Sequence, residues 1–157
     1  MKSKEIKILV EAYGSLSDLN ADDKALVQHA QKASEGAYAP YSRFLVGAAA
    51  LLDNGEVVSA SNQENAAYPS GLCAERTALF YAGARFPAAA VKALAIAAQT
   101  GGKFCPHAVY PCGACRQVMR ECEKRGRQPI RIIMYGERQV EVVQSALDLL
   151  PLSFDME

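Results

Sequence analysis

The sequence predicts an α/β protein in which helices layer onto a central sheet. Segments of strand length rich in Val, Ile, Leu and Ala alternate with segments of helical period, an Asn54-Gly55 pair separates two apolar runs, and 157 residues make one domain with room for a real core. Residues 6–10 are expected as a short strand and 14–20 as a polar turn. Residues 22–34 place Ala25, Leu26, His29, Ala30 and Ala33 at the spacing of an amphipathic helix, which Gly36 ends. Residues 45–52 are a continuous apolar run, and because Asn-Gly is a strong hairpin signal, residues 56–61 are expected as the partner strand. Residues 74–84 read as a helix and 91–98 as a buried strand. Residues 114–125 read as a second such helix with Gly126 as terminator, followed by strands over 130–135 and 139–143.

Composition narrows the function classes. Seventeen basic and seventeen acidic side chains leave no net charge, so nothing draws the chain to nucleic acid or to an anionic membrane, and a small substrate is the natural partner. Residues 2–10 alternate charged and apolar without the long apolar core of a secretory signal. The alanine-rich run 88–98 is broken by Lys92 and is too short to span a bilayer. Five cysteines, an odd number, suit a reducing cytoplasm better than a disulfide framework. The expected organisation is a single domain over residues 1–157, with residues 1–20 as an N-terminal extension.

The chemistry concentrates in Cys73-Ala74-Glu75 and Pro111-Cys112-Gly113-Ala114-Cys115. A Cys-x-x-Cys pair at a helix start offers two thiolates to a tetrahedral zinc ion, and Cys73 offers a third, which leaves one position open. Glu75, two residues beyond a ligand, is placed to move protons without binding the metal. The pattern resembles the signature of zinc deaminases, a ligand-x-Glu followed later by Pro-Cys-x-x-Cys. Cys73 and Cys112 fall at predicted helix starts, where free N–H groups and the dipole favour thiolate. Three thiolates around a divalent ion leave the site anionic, and the Arg76 guanidinium is the candidate to offset that charge by donating to a ligand sulfur.

Other readings of the same residues exist. Cys112 and Cys115 could form a redox dithiol, but that chemistry does not need a distant Cys-x-Glu. Cys105, His107, Cys112 and Cys115 lie within eleven residues and could close a structural zinc site in a noncatalytic module, which would leave Cys73 and Glu75 without a purpose. Cys122, seven residues beyond Cys115 and about 10 Å along a helix, is too distant to share the ion and reads as a core residue. Lys124, Arg125 and Arg127 cluster at a predicted helix C-terminus, where cations meet the dipole favourably.

Taken with the segments around them, these motifs resemble the cytidine deaminases of the small, homotetrameric, three-cysteine type. The resemblance covers about residues 36–154. It rests on Tyr38-Ala39-Pro40-Tyr41-Ser42-Arg43-Phe44, Val46-Gly47-Ala48-Ala49, Asn62-Gln63-Glu64-Asn65-Ala66, Cys73-Ala74-Glu75-Arg76-Thr77-Ala78, Pro111-Cys112-Gly113-Ala114-Cys115-Arg116-Gln117, and Leu149-Leu150-Pro151 with Phe154. It implies a layered α/β/α sandwich around a mixed central sheet of about five strands. It also implies one Zn2+ per chain on Cys73, Cys112 and Cys115, with Glu75 as the proton shuttle. Asn62 and Glu64 match the pair that binds the ribose hydroxyls, Phe44 would pack on the pyrimidine, and the Ala74 N–H would meet the base.

The carbonyl before Pro111 would accept from the leaving amine, and here it belongs to Tyr110, where the family usually has a small hydroxyl residue. Further departures are about twenty additional residues before the first helix and a lengthened 101–110 segment. The implied reaction is hydrolytic deamination of cytidine and deoxycytidine to uridine and deoxyuridine with release of ammonia, a step of pyrimidine salvage. A deaminase of another aminopyrimidine nucleoside, such as blasticidin, shares the zinc signature, and neutral charge disfavours a polynucleotide substrate. The resemblance further implies a homotetramer in which Phe154 reaches a neighbouring subunit's pocket.

Overall fold

The structure, a computed structural model, describes residues 1–156. Along the chain run β1 (Glu11–Tyr13), α1 (Ala21–Ser34), β2 (Leu45–Leu52), β3 (Val57–Ser61), α2 (Ala74–Arg85), β4 (Val91–Thr100), β5 (Lys103–Phe104), α3 (Gly113–Gly126), β6 (Arg131–Met134), β7 (Val140–Val143) and α4 (Ala146–Leu149). The strands form one mixed sheet of seven in the order β1-β7-β6-β4-β2-β3, with β5 paired to β4. β4 and β6 run parallel, and the other pairs are antiparallel.

Strand periodicity assigns the layers. Ala48, Ala50, Leu94, Ile96, Ile132 and Met134 face α2, α3 and α4, whereas Ala49, Ala93, Ala95, Ala97, Ile133 and Val142 face α1. Leu79, Leu94 and Ile96 are at most 1% exposed, and full burial of such a side chain contributes about 1.5–3 kcal/mol. The alanines let helices sit close to the sheet, and Gly47 takes this furthest: a Cβ there would lie 1.9 Å from the Ala30 carbonyl oxygen of α1. Asn20 starts α1 by accepting the Asp23 N–H at 2.9 Å through its side chain.

Three expectations are corrected. The strand expected at 6–10 lies at Glu11–Tyr13 instead, because β7 is four residues long and its pairing with β1 runs only from Val140 to Val142. Upstream residues have no partner strand there and are exposed. The sheet has seven strands rather than about five, in part because Gly101 and Gly102, at φ 58° and 76°, turn the chain so that Lys103–Phe104 pairs back on β4. Helix α3 retains Gly126, whose missing side chain admits Ala90, and it is Arg127 that takes the left-handed φ of 53° after the helix.

Candidate metal centre and active site

Helices α2 and α3 pack on the same face of the sheet, and their N-terminal cap residues are Cys73 and Cys112, both in extended backbone and neither making a side-chain cap hydrogen bond. Their sulfurs are therefore free to turn toward one another. Cys73 Sγ lies 3.8 Å from Cys112 Sγ, Cys112 Sγ lies 3.5 Å from Cys115 Sγ, and all three fall within 4.8 Å. Sulfurs about 2.3 Å from a tetrahedral zinc ion stand about 3.8 Å apart, so this donor set fits the ion closely. Cys115 is buried, Cys73 half-buried and Cys112 exposed. Cys105 and His107 are not part of this group, so among the described residues the closed four-ligand arrangement does not form. Cys122 is buried in the core beside α2, as expected.

The electrostatics are those of a crowded thiol cluster. The Cys73 thiol is lowered to about 5, first by the hydrogen bond from Cys115 and then by those from Arg76 and Cys112. Cys115 moves upward, first because it gives its proton to that bond. Arg76 donates through Nη2 to Cys73 Sγ at 3.8 Å, the contact expected of a charge-offsetting guanidinium, and its Nε is buried without a hydrogen-bond partner among the described residues. Glu75, 4% exposed, is raised above the ordinary carboxyl value, chiefly by burial. A buried carboxyl raised in this way exchanges protons more readily near neutral pH than an exposed one.

A cavity of about 260 Å³ opens beside the thiols. Ser42, Phe44, Val46, Asn62 and Glu64 line one part, and Cys73, Glu75, Ile96, Val109, Tyr110 and Cys112 line the rest. Asn62 uses half its amide on the start of β2: Oδ1 accepts the Val46 N–H at 2.8 Å and Nδ2 donates to the Phe44 carbonyl at 2.9 Å. One donor and one lone pair remain. Glu64 Oε2 accepts the Tyr41 and Ser42 N–H groups at 2.9 and 3.2 Å, and its pKa is lowered first by the Ser42 side-chain hydroxyl and then by these backbone bonds. Ala74 opens α2, so its N–H has no acceptor within the helix.

Tyr110 lines the cavity, and its hydroxyl donates to Glu141 Oε2 of β7 at 2.7 Å, a bond that pushes the phenol pKa up. Phe154 is not brought to this cavity. The residue is 73% exposed, while its carbonyl accepts from Gln117 Nε2 at 2.9 Å and Asp155 pairs with Lys124 and Arg120. Sequence reasoning missed Ser42, Val46, Ile96 and Val109 in the lining and gave no role to Arg116 or Glu141. Arg116 had a readable signal, since four residues after the cap Cys112 it lies over the same helix turn.

The family model for the cytidine and deoxycytidylate deaminase zinc-binding region matches residues 20–127. A cytidine deaminase of Sporosarcina psychrophila is 42% identical over 141 residues, covering 87% of this chain and 93% of that protein. One of Halalkalibacterium halodurans is 50% identical over 102 residues, 64% of this chain and 71% of that protein. The crystal structure of cytidine deaminase from Burkholderia pseudomallei superposes with a TM-score of 0.69 at 40% identity, covering 87% of this chain and 100% of that one.

Proposed function

Because this chain belongs to the cytidine and deoxycytidylate deaminase family, and is a zinc-dependent hydrolytic deaminase of a cytidine-like substrate, we propose that it converts cytidine and deoxycytidine to uridine and deoxyuridine in pyrimidine salvage. The observation that carries this reading is one cavity lined by Cys73, Cys112 and Glu75 and also by Asn62 and Glu64. Zinc held by Cys73, Cys112 and Cys115 would supply the Lewis acidity that ionises a water near neutral pH.

Each remaining step falls to the chain. Glu75 takes a proton from the attacking water and passes it to N3 of the base, which makes C4 electrophilic as the new C–O bond forms there. The same carboxylate then carries the hydroxyl proton to the exocyclic amine, the C4–N bond breaks, and ammonia leaves. The Ala74 N–H and the Tyr110 carbonyl orient the base, Phe44 packs on it, and the free donor of Asn62 with the Glu64 carboxylate holds the ribose diol. Arg76 withdraws charge from Cys73.

Phe154, exposed in its own subunit, completes the pocket of a neighbour within a homotetramer. Residues 1–157 act as one domain, with 1–20 as an extension, which suits a family match that begins at residue 20. Five free thiols suit the cytoplasm, and no described helix is long and apolar enough to cross a membrane. The test is zinc quantification together with ultraviolet assays on cytidine, deoxycytidine, cytosine and adenosine. Turnover of the two nucleosides with little on cytosine is expected, and a zinc-loaded protein inert toward both nucleosides would sink the reading.

A further inference from the structure

Between β5 and α3 main-chain hydrogen bonds hold Cys105 and Pro106, to Ala98, Glu137 and Arg138, and then stop short of the thiol cluster. Residues 107–111 neither donate nor accept a backbone–backbone hydrogen bond among the described residues. Yet this strap supplies Val109 and Tyr110 to the cavity wall and delivers Cys112. Two side-chain anchors hold it. On one side the Tyr110 hydroxyl donates to Glu141 Oε2 at 2.7 Å, and Gln139 Nε2 steadies the other carboxylate oxygen at 2.9 Å. On the other, Arg116 Nε donates to the Pro111 carbonyl at 2.8 Å and its Nη1 to the Leu149 carbonyl at 3.0 Å. The strand that bears Glu141 is itself fixed on both edges, by β6 and by β1, where Ala12 stands opposite Glu141.

We propose that Glu141 is a positioning residue of this active site: through the Tyr110 phenol it fixes the Tyr110–Pro111 strap and so the direction in which Cys112 presents its sulfur. The proposal rests on the reading of Cys112 as a zinc ligand. A strap without ladder bonds keeps its backbone freedom unless side chains remove it, and a phenol bonded to a carboxylate is among the stronger neutral-to-charged contacts available. Groups that orient a ligand from behind govern how firmly the metal is held. Since Arg116 anchors the strap independently, loss of the Glu141 contact loosens the strap without unfolding it.

The experiment compares zinc-loaded wild type with Tyr110→Phe, Glu141→Ala, Glu141→Gln and the Tyr110→Phe/Glu141→Ala double variant. It measures the rate of zinc release to a chromogenic chelator and, separately, kcat and KM for cytidine. Tyr110→Phe and Glu141→Ala should each speed zinc release about tenfold. The double variant should be no faster than the faster single, because both remove one contact. Glu141→Gln keeps an acceptor oxygen and should recover most of the loss, and kcat should fall more than KM rises. Wild-type release rates in both single variants, or single effects that multiply in the double, would overturn the proposal. So would equal damage by Gln and Ala with a lowered melting temperature and unchanged release, which marks a role in folding alone. If wild type fails to deaminate cytidine, the functional reading falls, while the release rates still decide this one.

Discussion

The two helix starts that meet at the thiol cluster are built by opposite means. The approach to α2 is locked by main chain: Gln63 and Leu72 exchange N–H to carbonyl bonds, each at 2.9 Å, immediately before Cys73. The approach to α3 makes no such bonds over residues 107–111 and depends on side chains. Each helix start also carries different chemistry. α2 brings one thiol with Glu75 and Arg76, and α3 brings two thiols. A proton shuttle tolerates little displacement, since it must stay within hydrogen-bond reach of each atom it serves. On the proposed mechanism the rigid entry therefore carries the acid-base group, and the adjustable one carries two metal ligands together with the Tyr110 carbonyl.

The largest expected effect comes from removing the thiol that α2 contributes. Cys73→Ala should leave purified protein with essentially no zinc and no turnover, whereas Cys105→Ala and His107→Ala should retain about one zinc per chain. Metal analysis that finds the reverse would return the closed four-ligand site and erase the division between the helices. Glu75→Gln comes next. It preserves volume and burial but cannot carry a proton, so zinc should remain while kcat falls by ~100- to 10,000-fold. Near-wild-type kcat would remove α2 from the chemistry.

What could be read from sequence follows the same division. Residues 73, 75 and 76 and residues 112 and 115 were legible because a helix converts a spacing of a few residues into a fixed geometry. The alternating sheet and the Asn54-Gly55 hairpin were legible for a similar local reason. Glu141 was not, since its partner Tyr110 is 31 residues away and the contact exists only once β7 is placed. The half-committed amide of Asn62 was hidden likewise, its partners lying 16 and 18 residues upstream. The displacement of β1 depended on the length of a partner strand at the far end of the chain. The Gly101-Gly102 turn, by contrast, is a local signal, since a Gly-Gly pair between two short runs is itself a hairpin pattern.

A smaller effect sharpens the electrostatic side of α2. Arg76 lowers the Cys73 thiol through its hydrogen bond and also acts to lower Glu75 by Coulomb attraction. Without it both groups hold their protons to higher pH. Arg76→Gln should therefore move the acid limb of the kcat/KM profile upward and reduce the plateau by about tenfold, with zinc retained. An acid limb that coincides with wild type would show that the guanidinium does not tune the site.

The smallest expected effect concerns the outer face of α3, which differs from α2 in holding the end of the chain. Gln117, Arg120 and Lys124 all meet residues 154–156, and these contacts leave Phe154 73% exposed. An aromatic side chain left exposed on the isolated subunit is available to a second surface, and the proposed homotetramer would supply one. If that surface is the pocket mouth of a second copy, Phe154→Ala removes packing on bound nucleoside but touches neither the thiols nor Glu75. KM for cytidine should rise about tenfold, the loss of a partly buried ring contact, with zinc content unchanged and kcat nearly so. Asp155→Asn should have a weaker effect of the same kind by loosening the tail from Lys124. Light scattering should report a tetramer in each case. A fully active monomer, or a Phe154→Ala variant with wild-type KM, would show that α3 docks the tail for its own stability and leaves the active site complete within one subunit.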